Sequence, residues 1–312
     1  MKVMFMGTPG FAVPCLKALI ENNFEVVAVV TAVDKPTGRG LKMTESEVKK
    51  FALEHHLPVL QPTNLKSNEF YEQLKYYDPD IIVVVAFRML PEQVWAYPKL
   101  GTLNVHASLL PDYRGAAPIH WVLINGEKQT GVTTFFIEKE IDTGKILLQK
   151  SVDILPDWNA GILHDHLMYL GAELLIQTLQ KIQNQQITPI PQDISLYKHH
   201  APKLNNENTK IQWNKTDIQI HNLIRGLSPY PTAWTIFNQK KLKIYQSQLT
   251  DVQSDLPIGT MFSKSKNLFV VTGNQKLLAI KELQLEGKSK TSDIDFINGH
   301  FKNLETYHLE NP

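Results

Sequence analysis

The run Ile81-Ile-Val-Val-Val85 decides the fold. Five consecutive β-branched residues with no polar interruption suit a strand covered on both faces, and such strands belong to parallel sheets with helices on either side. Outward from it, residues 3–6 form a shorter apolar run closed by Gly7-Thr-Pro-Gly10, a strand followed by a turn. Residues 11–22 carry Val13, Leu16, Leu19 and Ile20 at helical spacing, and 26–30 is again apolar. Strands follow at 103–105 and 132–137, then a long amphipathic helix over 162–182 that packs back on the sheet. Strands alternating with helices predict a Rossmann-like, doubly wound parallel α/β sheet.

The pattern changes near residue 184. The stretch 184–208 is polar, holds Pro189, Pro191 and Pro202, and has no sustained apolar period, which is how a linker reads. Short strands follow at 233–237, 242–245, 268–271 and 277–285, separated by Gly, Asn and Lys turns, and suggest a small β-barrel. The expected division is a first domain over 1–188, a linker over 189–206 and a second domain over 207–312. With 312 residues, two cores are the natural outcome. The apolar share of 43% rules out disorder, and the net charge of +1 excludes a uniformly basic nucleic-acid binder. The charge is unevenly spread: residues 203–312 hold 14 Lys and Arg against 10 Asp and Glu, leaving 18 against 21 in the remainder. A mildly basic barrel beside an acidic α/β domain fits either a solvated lysine surface or a polyanionic partner. Cys15 is the only cysteine, so no internal disulfide forms and a reducing compartment fits. The start shows no signal peptide, and the longest apolar run, about seven residues, falls far short of the roughly twenty of a membrane span. A cytoplasmic protein with no membrane segment is expected.

The chemistry concentrates in Gly101-Thr-Leu-Asn-Val-His-Ala-Ser-Leu-Leu-Pro111. On a strand, Asn104 and His106 face the same way, while Leu103 and Val105 face the core. Phe135-Phe-Ile-Glu-Lys-Glu-Ile-Asp-Thr-Gly144 places Asp142 in a turn, where it is either a turn-former or a carboxylate that orients and charges His106. An amide, an imidazole and a carboxylate without a nucleophile suit acyl or one-carbon transfer through a tetrahedral intermediate: the amide and ring donate to the oxyanion, and the ring relays a proton. Ser108 lacks a nucleophile elbow, so covalent catalysis is not expected. No metal is expected, because His55-His56 and His199-His200 are adjacent pairs that point apart on a helix. Gly7-Thr-Pro-Gly10 does not make a dinucleotide site, since Pro9 stands where the second glycine of the fingerprint belongs.

At these residues the sequence resembles the methionyl-tRNA formyltransferases, within the folate-dependent formyltransferases. The resemblance rests on Asn104-Val-His106, Ser108-Leu-Leu-Pro111, Arg114-Gly-Ala-Ala-Pro-Ile119 and Asp142-Thr-Gly144 in that order. It extends from Gly7-Thr-Pro and Phe11-Ala-Val-Pro14 to Ile211-Gln-Trp213, Arg225-Gly-Leu and Gly287-Lys288, essentially the whole chain. It implies a formyltransferase domain followed by an OB-like β-barrel, catalysis by Asn104, His106 and Asp142, and folate contact by Ser108, Leu109, Leu110 and Pro111. The implied co-substrates are 10-formyltetrahydrofolate and the initiator methionyl-tRNA, with no metal, and the chain is expected as a monomer. A small-amine acceptor, a nucleotide sugar or glycinamide ribonucleotide, is the alternative. The stretch 34–50 resembles the loop that the family sets against the tRNA acceptor end, which implies tRNA contacts for Arg39, Lys35 and Lys42. Two positions depart from the family pattern. Phe87-Arg88 stands where many members carry Tyr-Gly, and Arg88 either reshapes the folate pocket wall or reaches the folate's glutamate tail. Glu45 and Glu47 make the proposed tRNA loop less basic than usual.

Overall fold

A computed structural model describes residues 1–37, 42–301 and 305–309. It divides into two compact units, each assembled from separate stretches of chain. The first comprises Met1–Gly115, Gln129–Asp153 and His164–His200. The second comprises Ala116–Lys128, Ile154–Leu163 and Ala201–Pro312.

The first unit is built on a seven-stranded sheet in the order Ile146–Asp153, Gln129–Phe136, Thr102–His106, Ile81–Val85, Lys2–Gly7, Glu25–Val30, Val59–Leu60. Five strands, from Thr102–His106 to Val59–Leu60, are mutually parallel. The order reverses direction between Lys2–Gly7 and Ile81–Val85, as a doubly wound sheet requires. Ile81–Val85 is buried along its whole length. Met4, Met6, Ile82 and Val84 pack on one face with Phe70 and Leu74 of the helix Asn68–Tyr77. Val3, Phe5 and Val83, at the alternate positions, are fully buried as well. Burial on two sides is why these strands show no polar alternation.

The sheet is not parallel throughout. Gln129–Phe136 runs antiparallel to Thr102–His106, and Ile146–Asp153 antiparallel to Gln129–Phe136. The connection 137–145 is shorter than the roughly dozen residues that a parallel crossover needs, so these strands fold as a hairpin. The helix Ala160–Gln183, from His164 onward, belongs to this unit and covers this flank. Thr178 Oγ1 lies 2.8 Å from Thr134 Oγ1, and a Cβ on Gly171 would stand 3.0 Å from Val105.

The second unit is an antiparallel sheet in the order Ala233–Phe237, Lys240–Gln253, Lys276–Leu285, Asn267–Val271, Thr260–Lys264, Thr306–His308. Its longest strand, Lys240–Gln253, loses register after Ile244, Gln246 and Leu249, and such irregularities bend a strand. The bending brings the two ends of the sheet together: the Phe237 and Tyr307 rings lie 4.4 Å apart, and the Asn238 N–H donates to Tyr307 Oη at 2.7 Å. A half-barrel results. Its core holds the fully buried Trp213, whose Nε1–H donates to Thr235 Oγ1. The helix Asp217–Leu227 is started by a capping box of Thr216 and Gln219. It packs against the helix Pro118–Ile124, where His120 Nδ1 lies 2.8 Å from the Gly226 carbonyl oxygen. Residues 116–128 thus sit with the C-terminal sheet, outside the continuous 1–188 stretch that the sequence suggested. The cause is side-chain packing between distant segments, which no local period records. Among the described residues, no helix is long and apolar enough to cross a membrane.

Gly131 is where the sheet tolerates no side chain. A Cβ there would stand 2.2 Å from the Lys150 carbonyl oxygen on the neighbouring strand and 2.6 Å from Leu109. Gly131→Ala is expected to push the strand pair apart and cost about 1–3 kcal/mol, read as a lower midpoint in thermal or urea unfolding. An unchanged midpoint contradicts this packing.

Candidate active site

The strand Thr102–His106 presents Asn104 and His106 two residues apart. His106 is only 6% exposed. Its Nε2 lies 2.9 Å from the Tyr113 carbonyl oxygen. A carbonyl only accepts, so this bond assigns a ring hydrogen to Nε2 and leaves Nδ1 as the nitrogen that can gain or lose a proton. Nδ1 faces Asp142, whose Oδ2 is 3.9 Å away. That separation is an ion-pair distance and too long for a hydrogen bond. Asn104 is half-buried, and its Oδ1 is sealed from solvent with no hydrogen-bond partner. Buried polar atoms are rarely left unpaired, and among the described residues Thr130 Oγ1 is the other such side-chain atom.

Asp142 sits in the connection 137–145 with φ +56, the left-handed region that Asp tolerates better than most residues. Two residues on, a Cβ at Gly144 would stand 1.7 Å from the Phe136 carbonyl oxygen, so the turn closes only around glycine. Asp142 Oδ2 accepts the Gly115 N–H at 2.9 Å. The Gln192 side chain donates to the carbonyls of Asp142 and Gly144 at 2.9 and 2.8 Å and accepts from the Arg114 guanidinium.

The loop Ser108-Leu109-Leu110-Pro111 follows the strand directly. Ser108, Leu110 and Pro111 are buried, and Leu109 is half-buried. The Ser108 hydroxyl donates to the Asp112 carbonyl at 2.8 Å, which leaves it a poor nucleophile. Thr133 donates to the Ser108 carbonyl and accepts the Leu110 N–H, while Gln149 donates to the Leu110 carbonyl. The Asp112 carboxylate accepts from the backbone N–H groups of Lys198 and His199 and pairs with His199 Nδ1. Burial pushes the Asp112 carboxyl up, but the His199 ring and these two N–H groups together hold it below the usual carboxylate value.

The remaining sequence-derived candidates separate. Lys35 is exposed at the start of a short hairpin, Lys35–Thr37 with Lys42–Thr44. Arg39 and the side chain of Lys42 lie outside the described residues. The acidic pair is matched locally: Glu45 lies 3.0 Å from Lys49 and Glu47 2.8 Å from Lys50. Arg88 is exposed, and its guanidinium donates to the carbonyls of Pro62 and Thr63, tying down the 62–63 backbone. Cys15 is fully buried in the helix Val13–Glu21, and burial pushes its thiol up to about 12, which makes it inert. Among the described residues, no three His, Cys, Asp or Glu side chains converge as a metal site. The sequence reading missed Thr133, Gln149, Gln192, Asp112 and His199. Asp112 adjoins the quoted motif and was within reach. Gln192 and His199 lie in the polar, proline-broken stretch, where no period or motif marks them.

Comparison with known proteins extends over both units. The family described as Formyl transferase matches residues 1–179, and the one described as Formyl transferase, C-terminal domain, matches 203–301. The chain is 48% identical over 304 residues to a methionyl-tRNA formyltransferase of Flavobacterium johnsoniae, covering 96% of each chain. It is 47% identical over 310 residues to one from Azobacteroides pseudotrichonymphae, again covering 96% of each. Among solved structures it is similar in fold to an N-formyltransferase from Helicobacter canadensis in complex with folinic acid and dTDP-3-aminofucose. That likeness has 22% identity and a TM-score of 0.68 over 90% of this chain and 98% of the other. Two near-full-length relatives and both family matches lead to one conclusion: this chain belongs to the methionyl-tRNA formyltransferase family.

Proposed function

We propose that the chain transfers the formyl group of 10-formyltetrahydrofolate to the α-amine of methionyl initiator tRNA, with Asn104, His106 and Asp142 as its catalytic set. The Ser108-Leu109-Leu110-Pro111 loop contacts the folate, residues 1–188 carry the chemistry, and 207–312 hold tRNA. Lys35, Arg39 and Lys42 reach the acceptor end, and the protein works as a monomer in the cytoplasm. The observation that carries the choice of acceptor is identity: 48% to a methionyl-tRNA formyltransferase against 22% to the Helicobacter sugar-bound enzyme. The folinic acid bound to the latter supports a folate donor.

The chemistry follows from the site. The amine nitrogen adds to the formyl carbon and forms a tetrahedral carbon bearing an oxyanion. The bond from that carbon to folate N10 then breaks, and the proton lost by the amine ends on N10. The Asn104 amide donates to the oxyanion, and the His106 ring joins it only once Nδ1 carries the proton taken from the amine. Nδ1 of His106 relays the proton, because Nε2 is committed to the Tyr113 carbonyl. The Asp142 carboxylate, 3.9 Å from Nδ1, stabilises the positive ring formed when Nδ1 takes that proton.

The deciding assay supplies 10-formyltetrahydrofolate with charged initiator tRNA, against uncharged tRNA, free methionine, a dTDP-amino sugar and glycinamide ribonucleotide. Formylation of a small amine in preference to charged tRNA overturns the assignment. In the same assay, His106→Ala and Asn104→Ala each lower kcat by about a hundredfold or more with circular dichroism unchanged. Asp142→Asn, which keeps shape and loses charge, lowers kcat in the same direction. Normal turnover in a folded His106→Ala protein refutes the mechanism.

The tRNA reading predicts a separate salt effect. Raising salt from about 50 to 200 mM lowers kcat/KM for charged tRNA by at least about tenfold and leaves folate affinity nearly constant, because only the polyanion releases many counterions. Combined Lys35→Ala and Arg39→Ala raises KM for tRNA by about tenfold and leaves folate affinity unchanged. Equal salt sensitivity for the two substrates removes the basic tRNA surface.

A further inference from the structure

Residues 190–200 lie in the stretch that reads as a linker, yet they are fastened to the first unit at several points. Ile190 and Ile146 exchange both backbone hydrogen bonds at 2.8 Å. Gln192 uses its whole amide. Its two N–H donors go to the carbonyls of Asp142 and Gly144, and its oxygen accepts from Arg114 Nε and Nη2 at 3.1 and 2.6 Å. That pattern fixes which end is oxygen and which is nitrogen. The next residue after Arg114, Gly115, donates to the Asp142 carboxylate. Gln192 therefore ties together the same two segments that Asp142 bridges with its own side chain, and holds the left-handed turn from which that side chain projects.

The far end of the segment acts on the other partner. His199 accepts the Tyr113 N–H through its backbone carbonyl at 2.9 Å, and its ring stacks on Tyr113 with centroids 5.1 Å apart. Its Nδ1 and backbone N–H engage the Asp112 carboxylate. The Tyr113 peptide is thus gripped at its N–H by His199, while its carbonyl oxygen holds His106 Nε2. The attachment of 190–200 is polar and aimed at these two places. Its large apolar side chains contribute little, since Ile190, Ile194 and Leu196 are 59%, 65% and 57% exposed. An element kept for core stability would bury them.

We propose that Gln192 and His199 are positioning residues that set the spacing of Asp142 and His106, Gln192 through the 142–144 turn and His199 through Asp112 and Tyr113. The proposal rests on the catalytic reading of that pair. Neither side chain touches the reacting atoms, so their effect is on turnover and not on substrate affinity.

The test is steady-state kinetics of the full-length protein with 10-formyltetrahydrofolate and charged initiator tRNA, with His106→Ala as reference. Gln192→Met keeps the volume and removes all four hydrogen bonds. It is expected to lower kcat by about tenfold to a hundredfold, with KM for both substrates within about twofold. Gln192→Glu keeps an acceptor for Arg114 but sets a carboxylate against two carbonyls, and falls at least as far. His199→Phe keeps the stack on Tyr113 and loses the bond to Asp112, lowering kcat by about threefold to tenfold. His199→Asn restores a donor near the Nδ1 position and recovers most of that loss. In selectively labelled protein without substrates, the His106 ring resonance, assigned by its loss in His106→Ala, moves in His199→Phe. Unchanged kcat in both Gln192→Met and His199→Phe overturns the proposal while His106→Ala remains inactive. So does a rise in KM at constant kcat, or an activity loss that only tracks a lower unfolding midpoint. Normal turnover in His106→Ala instead overturns the catalytic reading beneath it.

Discussion

A sheet covered on both faces can carry polar chemistry only where its strands end. The two central strands of the first unit obey this: Ile81–Val85 is buried throughout and wholly apolar, and Val3 to Met6 are fully buried beside it. A polar side chain in mid-strand would lose its water without gaining a partner, at a cost of several kcal/mol in the least favourable case. Asn104 and His106 stand near the end of Thr102–His106, where the chain leaves the sheet and a loop can supply partners. The position of the site follows from the burial of the sheet.

That placement creates a second demand. The loop after His106 is itself buried, and every backbone group in it needs a partner. The partners come from elsewhere in the unit: the Thr133 and Gln149 side chains on the antiparallel flank take the Ser108 carbonyl and the Leu110 N–H and carbonyl, and the His199 carbonyl takes the Tyr113 N–H. Each bond restricts the loop further, and the restricted loop places the Tyr113 carbonyl on His106 Nε2. The imidazole thereby has one nitrogen committed and one directed at Asp142. Satisfying a buried backbone and choosing a ring tautomer are the same set of hydrogen bonds.

The second unit solves a different problem. Its strands are antiparallel and only half of their side chains are buried, as in Ala233–Phe237, where Ala233, Thr235 and Phe237 face inward. The other positions are free to carry lysine, and Trp234 is flanked by Lys210 and Lys241 at 5.7 and 4.1 Å from its ring. A sheet with one solvated face suits a large polyanion better than an enclosed pocket does. The excess of positive charge in residues 203–312 fits either a solvated lysine surface or the tRNA-holding role proposed for 207–312.

The sequence by itself determined the fold class, because doubly buried strands must be continuously apolar and solvated ones must alternate, and both patterns are local. It also set Asn104 and His106 together as candidates, since two-residue spacing places an amide and an imidazole on one side of a strand, while Asp142 stood open between turn-former and carboxylate until the family resemblance implied its role. The helix 160–183 and the strands Ala233–Phe237, Asn267–Val271 and Lys276–Leu285 were legible within a few residues for the same reason, whereas only 242–245 of Lys240–Gln253 was legible, and Thr260–Lys264 and Thr306–His308 were not. Only the tertiary structure decided which nitrogen of His106 faces Asp142, that residues 116–128 join the second unit, and that 190–200 is anchored and not free. These depend on hydrogen bonds between residues as far apart as Asp112 and His199, or Gln192 and Asp142. A hydrogen bond of that reach leaves no period in the chain, because its two ends are brought together by the packing of everything between them.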